Sequence, residues 1–356
     1  MKATLEQNNK QDIKAQWELL KQDNPKMRIK NCADKLGVSE LALVLTDLGS
    51  ANPKITLLKG NPVDIIRRVK EIGYVMALSR NDSCVNERKG VYGDLTVEHG
   101  VGLIVGKDID LRIFFSNWKY SVAVEEEFET GWKRSLQFFD SKGVAIHKIH
   151  LNEKSDHNAF LKLVSDFTDE SGEYEPIADS KAGAKQPVTK SDLSDTTMTT
   201  AFLQEWSELK DTHDFYGLLR KHKVSRLESM KIGDGKFTRE LALDSVRNLL
   251  NISSEKGTSI MVFVYNPGMV QIHTGPVKNI VPTGQWINVM DPEFNLHLRE
   301  DHIAQVWWVS KPTVDGDVQS IEVYDENEEL IVQFFGERKP GQPEKEEWRE
   351  ICKMLK

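Results

Sequence analysis

Cysteine is scarce in this chain. Its three residues, Cys32, Cys84 and Cys352, lie far apart and are odd in number. That argues against a disulfide framework and a clustered thiolate metal site, and it fits a reducing cytoplasm. Long apolar runs are missing as well. No stretch approaches the roughly 20 apolar residues of a membrane span, and no early segment joins a basic start to an apolar run. Basic charge is in deficit: 47 Lys and Arg face 55 Asp and Glu, a formal net charge of -8. A wide non-specific grip on nucleic acid is therefore disfavoured. G-x-S-x-G, the Walker loop and H-E-x-x-H are absent, so hydrolase, nucleotide-binding and zincin chemistries lack their motifs.

What is present has the composition of an ordinary globular protein, 39% hydrophobic and 29% charged over 356 residues, enough for two domains. Residues 11–24 (QDIKAQWELLKQDN) read as an amphipathic helix stopped before Pro25. In RIKNCADKLGVSELALVLTDLG, residues Ala33, Leu36, Val38, Leu41 and Leu45 have the spacing of two short helices joined at Gly37, with Ser39 as N-cap. The same pattern suits a helix-turn-helix, so a DNA-binding regulator stays as the least favoured reading, on a segment only mildly basic. Residues 62–73 predict another helix, with Pro62 in its first turn. From Tyr74 to Leu151 the texture turns to alternating β-rich segments, among them YVMALSR, DLRIFF, YSVAVEEEFE and VAIHKIHL, separated by Gly and Asp turns. These predict a largely antiparallel sheet. Residues 156–170 return to helix, and 171–197, rich in Ser, Gly, Pro, Lys and Asp, read as a linker.

After that linker the order repeats: a helix around Trp206, helices to about Asn251, strands from Ile260 to Phe335, and a terminal helix EEWREICKML. One register aligns the two copies. Arg112 falls opposite His297, Ser135 opposite Ser320, Gly90 opposite Gly275 and Asn81 opposite Asn266, and 297 − 112, 320 − 135, 275 − 90 and 266 − 81 all equal 185. The helical starts agree more loosely, placing Trp17 near Trp206 and Asn24 near His213. The predicted fold class is α+β. It is a tandem duplication whose halves each run from an N-terminal helical part into a large antiparallel sheet flanked by helices. The boundaries read as 1–170 for the first repeat, 171–197 for the linker and 198–356 for the second repeat.

In a duplicated chain, matching apolar residues report packing, and residues that differ mark where one asymmetric site can arise. His213 against Asn24 is such a difference, and Arg112 against His297 is another. The second copy also carries Arg220, Lys221, Lys223 and Arg226 soon after His213, then Lys311 and Arg338 near strand ends. An imidazole able to bind a metal, with separate cations for carboxylates and an apolar lining such as Phe237, Met261, Phe263, Met269, Trp307 and Trp308, is what an iron porphyrin needs. Taken singly, each feature is commoner as a helix cap, a solvated face or strand core. Rival sites are weaker. His147 and His150 lie three apart on one strand, so their rings point to opposite faces. His297 and His302 straddle a turn and read as separate structural histidines, and Asp108 and Asp110 sit in a strand-entry turn.

The chain resembles the HemS/HmuS/ChuS group of bacterial haemin-transport and haemin-degrading factors nearly end to end. The likeness is carried by KDTHDFYGLLRKHKVSR, GTSIMVFVYNPGMVQIHTGPV, NVMDPEFNLHLREDHIAQVWWVSKPTVDG and VQFFGERKPGQPE in the second half. In the first half it is carried by GLIVGKDIDLRIFFSNW and KRSLQFFDSKG. The resemblance implies haem b (iron protoporphyrin IX) held in a cleft between sheet and helices, with His213 as axial ligand to the iron. Arg112 matches the arginine over the distal face, and would be the catalytic residue if the ring is opened. Arg226, Lys311, Gln333 and Arg338 match contacts around the propionates and cleft edge, and His297 a further cleft position. Phe335 stands where many relatives carry a tyrosine, and Asn86 where some carry a histidine, which argues against a second haem site in the first half. The implied role is cytoplasmic haem trafficking after uptake. An inner-membrane haem ABC transporter would be the donor, a haem oxygenase or reductase the acceptor, and no stable nucleic-acid partner is expected. The alternative is ring-opening degradation with iron release at the same site.

Overall fold

The computed structural model describes residues 2–175, 177, 196–339 and 341–356. Among them the first half runs α1 (Lys2–Asp23), α2 (Ile29–Leu36), α3 (Glu40–Leu45), β1 (Lys54–Leu58) and α4 (Pro62–Arg68). Eight strands follow: β2 (Gly73–Arg80), β3 (Cys84–Val91), β4 (Leu95–Glu98), β5 (Val101–Ile104), β6 (Asp110–Phe114), β7 (Tyr120–Phe128), β8 (Gly131–Phe139) and β9 (Ala145–Ser155). The half closes with α5 (His157–Phe167). The second half repeats that order as α6 (Thr196–Ser207), α7 (Asp214–His222), α8 (Arg226–Gly233), β10 (Thr238–Leu241) and α9 (Ser245–Lys256). Its eight strands are β11 (Ser259–Asn266), β12 (Met269–Pro276), β13 (Ile280–Thr283), β14 (Trp286–Met290), β15 (Phe294–Arg299), β16 (Gln305–Lys311), β17 (Val318–Tyr324) and β18 (Leu330–Gly336), before α10 (Glu346–Met354). Most of the segment read as a linker, residues 176 and 178–195, lies outside the described residues, and Thr196 and Thr197 already belong to α6.

The strands form two nine-stranded antiparallel sheets, ordered β1-β7-β8-β9-β2-β3-β15-β14-β13 and β10-β16-β17-β18-β11-β12-β6-β5-β4. Each place in one order holds the repeat equivalent of the strand in the other, so the duplication predicted from the sequence is present at the level of topology. Two compact units result. One draws its described residues from Met1–Ser79, Arg88–Ala184 and Asn266–Val270, the other from Arg80–Glu87, Lys185–Tyr265 and Gln271–Lys356. Each unit thus includes a short piece from the opposite half of the sequence. The anchor pair Asn81 and Asn266 explains how those pieces are held. Asn81 Nδ2 donates to the Ile331 carbonyl at 2.8 Å while its Oδ1 accepts from Ser83 N and Cys84 N. Asn266 Nδ2 donates to the Ile146 carbonyl at 2.9 Å while its Oδ1 accepts from Gly268 N, and 331 − 146 is again 185.

The predicted caps are present. Gly37 ends α2 at φ 67°, a left-handed conformation that costs glycine nothing, and the Ser39 side chain accepts from Ala42 N to start α3. α3, however, is buried at Glu40, Leu41, Leu43, Val44 and Leu45. A recognition helix must present its side chains to a groove, so this burial removes the helix-turn-helix reading. Two strands escaped the sequence reading, β1 (KITLL) and β10 (TREL). Each is short and stands first in its sheet's order, an edge position where four or five residues leave little periodicity to read.

In the second unit the sheet is covered on both faces. Val262, Val264, Ile321, Val323, Val332 and Phe334 pack with Leu249, Leu250, Trp348 and Ile351 of α9 and α10. The alternate residues Trp307, Val309 and Tyr324 pack with Trp206, Phe215, Leu218, Leu227, Met230 and Phe237. The first unit differs in one core detail. His147 Nε2 lies 2.5 Å from the Tyr92 hydroxyl and Nδ1 2.9 Å from Ser79 Oγ, and all three residues are buried. Their equivalents in the second unit are Val332, Val277 and Val264, since 332 − 147, 277 − 92 and 264 − 79 all equal 185, and all three are buried. Burial pushes the His147 imidazole down to about 3, so it is neutral at ordinary pH. The polar trio is therefore self-satisfying rather than a metal pair with His150, which burial likewise pushes down to about 4.

Candidate ligand-binding site

The start of α7 fixes His213. This residue occupies the N-cap position with helical backbone angles, and its own side chain makes no cap. Asp211 serves instead: its Oδ1 accepts from the His213 backbone N–H at 2.8 Å and lies 2.6 Å from Nδ1, while Asp211 N donates to Asp214 Oδ2 at 3.2 Å. The backbone N–H of His213, with its imidazole and the nearby Arg338 guanidinium, holds the Asp211 carboxyl below the usual range. The His213 side chain is 90% exposed, and among the described residues Nε2 has no partner. An exposed imidazole gripped on one nitrogen and open on the other is a ligand geometry. α7 ends at Lys223 in the left-handed region (φ 55°), and Ser225 with Glu228 forms a capping box that starts α8, placing Arg226 at its first position.

Arg226 points at a buried carboxylate. Its Nε and Nη2 donate to Glu322 Oε2 and Oε1 at 2.7 and 2.8 Å, and Lys311 Nζ donates to Oε1 at 2.9 Å. Tyr324 donates its hydroxyl to Oε2 at 2.7 Å. Both cations also sit over the Phe215 ring, Lys311 at 4.7 Å and Arg226 at 5.6 Å from its centroid. Burial pushes Glu322 up, but Arg226 and Lys311 outweigh it and carry the carboxyl well below its ordinary value. Burial lowers Lys311 to about 8, against the pull of Glu322 and with help from the Arg226 charge. The cluster therefore holds two cations and one anion where water is scarce, a local excess of positive charge.

Beside it, the sheet register sets Glu322 opposite Gln333, Gln333 opposite Phe263, and Met261 opposite Phe335. The Gln333 Oε1 accepts from the Tyr265 hydroxyl, and its buried Nε2 has no partner among the described residues. A buried amide N–H without an acceptor costs about 1–3 kcal/mol, which a ligand oxygen would recover. Met261, Phe263, Tyr265 and Phe335 are only half buried, with Phe263 and Phe335 ring centroids 4.9 Å apart. They make a partly open aromatic floor on the strands that carry Gln333.

The structure thus brings together Arg226, Lys311 and Gln333 through Glu322 and its row, and His213 with Arg338 through Asp211. Arg338 makes no salt bridge among the described residues. Arg112, in the first unit on β6, is ion-paired with Asp110 and donates to the Leu111 carbonyl at 3.2 Å. Burial pushes the Asp110 carboxyl up against the pull of Arg112. His297 stands on β15, in the other sheet from β16–β18, with Nδ1 2.7 Å from Asn288 Oδ1. His302 sits apart from it, Nδ1 3.0 Å from Ser83 Oγ. Asn86 is buried against Gln271, whose Nε2 donates to its Oδ1 at 2.9 Å. Among the described residues no group of three or more His, Cys, Asp or Glu side chains is arranged to hold a metal ion.

Sequence reasoning missed Asp211, Glu322, Tyr324 and Tyr265. Glu322 left one trace: in SIEVY it alternates with apolar residues on a strand covered on both faces, where an unpaired charge is not tolerated. Asp211 left another, an Asp two residues before a histidine at a helix start, the spacing of a side-chain turn.

Comparison with known proteins identifies the family. The haemin-degrading HemS.ChuX domain matches twice, at residues 37–167 and 223–355. His213 and Asp211 precede the second match. The chain is 32% identical to the hemin transport protein HemS of Yersinia enterocolitica over 346 residues, 96% of this chain and 97% of that one. It superposes on holo-PhuS, a heme-binding protein from Pseudomonas aeruginosa, with a TM-score of 0.89 and 39% identity over 98% of this chain and 99% of that one. The heme degrading enzyme ChuS of Escherichia coli O157:H7 gives a TM-score of 0.88 at 27% identity, covering 97% and 99%. This chain belongs to the HemS/ChuX family and carries the family's haemin-degrading domain in two tandem copies.

Proposed function

We propose that this protein binds one haemin per chain through His213 and handles it in the cytoplasm after uptake. The observation that carries this reading is the His213 imidazole, exposed, anchored at Nδ1 and open at Nε2. The Glu322 cluster and its strand row have the chemistry the group needs. The half-buried Met261, Phe263 and Phe335 suit a flat apolar ring, and the excess positive charge at Arg226 and Lys311, with Arg338, suits two propionates. The partnerless Gln333 Nε2 offers one more donor. Arg112 and His297 are assigned as haemin contacts on motif likeness alone, and the repeat boundaries 1–170 and 198–356 are proposed from the order of elements and the composition of the segment between them. No described helix is long and apolar enough to cross a membrane. A membrane haem transporter as donor and an oxygenase or reductase as acceptor complete the proposed role.

Titration of the haemin-free protein with ferric haemin tests the reading: one equivalent with a histidine-ligated Soret spectrum is expected. A linear, non-saturating response would overturn it. A second reading, ring opening at the same site, is favoured by the likeness to a relative described as an E. coli heme oxygenase. Bound haemin would be the substrate, and on motif likeness Arg112 would supply hydrogen-bond donors to it. Single-turnover assays with catalase decide: Soret loss that vanishes when catalase is added is coupled oxidation, not enzymatic turnover.

A further inference from the structure

We infer that Asp211 is a positioning residue that presets the tautomer of His213 before any ligand arrives; the inference rests on the haemin-binding reading above. The argument is one of donors and acceptors. Asp211 Oδ1 lies 2.6 Å from His213 Nδ1 and also takes the His213 backbone N–H at 2.8 Å. A carboxylate oxygen has no hydrogen to give, so the ring nitrogen facing it must carry one. In its neutral form His213 is therefore the Nδ1–H tautomer, and the lone pair then sits on Nε2, the nitrogen that has no partner among the described residues. One oxygen gripping both the backbone and the ring also restricts the side-chain torsions of a residue that is otherwise 90% exposed. An unrestrained exposed histidine would sample both tautomers and several rotamers, and ordering it on binding costs affinity.

The same carboxylate has a second effect once a metal is bound at Nε2. A hydrogen bond from Nδ1–H to an anion makes the imidazole a stronger donor and fixes the ring plane, and loss of such a partner costs about 10–100-fold in metal affinity. The turn around Asp211 is tied at two further points, Asp211 N to Asp214 Oδ2 at 3.2 Å and Val314 N to the Lys210 carbonyl at 3.0 Å. The carboxylate therefore approaches the ring from a braced backbone. A cap for α7 alone would need only the backbone contact, and the bond to Nδ1 is in addition to it.

The decisive experiment is nitrogen-15 NMR of the haemin-free full chain, reading the two ring nitrogens of His213. At a pH high enough to leave the imidazole neutral, a protonated Nδ1 and an unprotonated Nε2 are expected in the wild type, and a shift towards the Nε2–H form in Asp211→Ala. The reverse tautomer in the wild type, or no change in D211A, overturns the proposal. Because no haemin is present, this outcome is independent of whether haemin binds. With haemin added, D211A is expected to weaken binding about 10–100-fold. Asp211→Asn, which keeps an acceptor oxygen but not the charge, should retain the tautomer while raising the reduction potential of bound iron. Unchanged affinity in D211A and unchanged potential in D211N would leave Asp211 a plain helix cap and sink the inference.

Discussion

Replacing Glu322 by Gln keeps the shape of the side chain and removes the one negative charge between Arg226 and Lys311. In the native cluster that carboxylate receives five hydrogen bonds, two from Arg226 and one each from Lys311, Tyr324 and Ser320. Breaking a buried ion pair by deleting one partner costs about 3–5 kcal/mol, because the remaining charge is stranded. Lys311 can relieve part of this by releasing its proton, but only partly. From its folded value of about 8, holding Lys311 neutral at pH 7 costs about 1.4 kcal/mol more, taken as 1.36 kcal/mol for each pKa unit, and the Arg226 charge stays stranded. A loss of about 3 kcal/mol corresponds to about 6–12 °C for a unit of this size. Haemin should repair the variant, since its carboxylates can take the vacated role. Thermal unfolding with and without haemin is the assay, and the haemin-induced rise in melting temperature should be larger for E322Q than for the wild type. Equal rises would refute the claim that ligand carboxylates meet Arg226 and Lys311. An E322Q melting temperature equal to the wild type's would refute the electrostatic account of the cluster itself.

The cluster also makes stability depend on pH in a defined direction. Lys311 titrates near 8 in the folded chain against 10.5 when unfolded, so between those values the unfolded state binds more protons and stability rises with pH. The rise is up to about 3 kcal/mol. Urea midpoints at pH 8 and pH 10 should show it, and Lys311→Met should lose it. Tyr92→Phe removes the hydroxyl partner of His147 Nε2 and leaves that nitrogen buried and unsatisfied, which should lower the unfolding free energy by about 1–3 kcal/mol in denaturant titration. Gly336→Ala would place a Cβ 2.6 Å from Cβ and Cγ of the fully buried Trp348. Overpacking of that kind costs about 1–3 kcal/mol, and calorimetry should find the loss confined to the transition of the second unit.

Much of the architecture could be read from residue order. The 185-residue register carries the duplication because the two halves use the same hydrogen bonds at the same places, as the Asn81 and Asn266 side chains show. Strand alternation and caps at Gly37 and Ser39 are local features, set by backbone geometry within a few residues, and they were legible for that reason. β1 and β10 were not, because a four- or five-residue edge strand acquires its identity from the neighbour it pairs with, here β7 or β16. The site divides the same way. His213 and the basic residues stand out by chemistry, but the anchoring of Arg226 and Lys311 on Glu322 depends on bringing residues 226, 311 and 322 together through a sheet register that no local pattern encodes. That Ser79 and His147 meet across a strand pair, as Val264 and Val332 do in the other copy, is equally invisible until the strands are paired.

The central claim is that His213 is the residue through which haemin is held, and a ferric haemin titration of His213→Ala beside the wild type tests it most directly. The side chain is exposed and, among the described residues, hydrogen-bonds to Asp211 alone, so the variant should fold normally, with an unfolding free energy within about 0.5 kcal/mol of the wild type. The account predicts one equivalent of haemin with a histidine-ligated Soret band in the wild type, and a displaced band with weakened binding in the folded variant. An identical Soret band and an identical dissociation constant in H213A would contradict it.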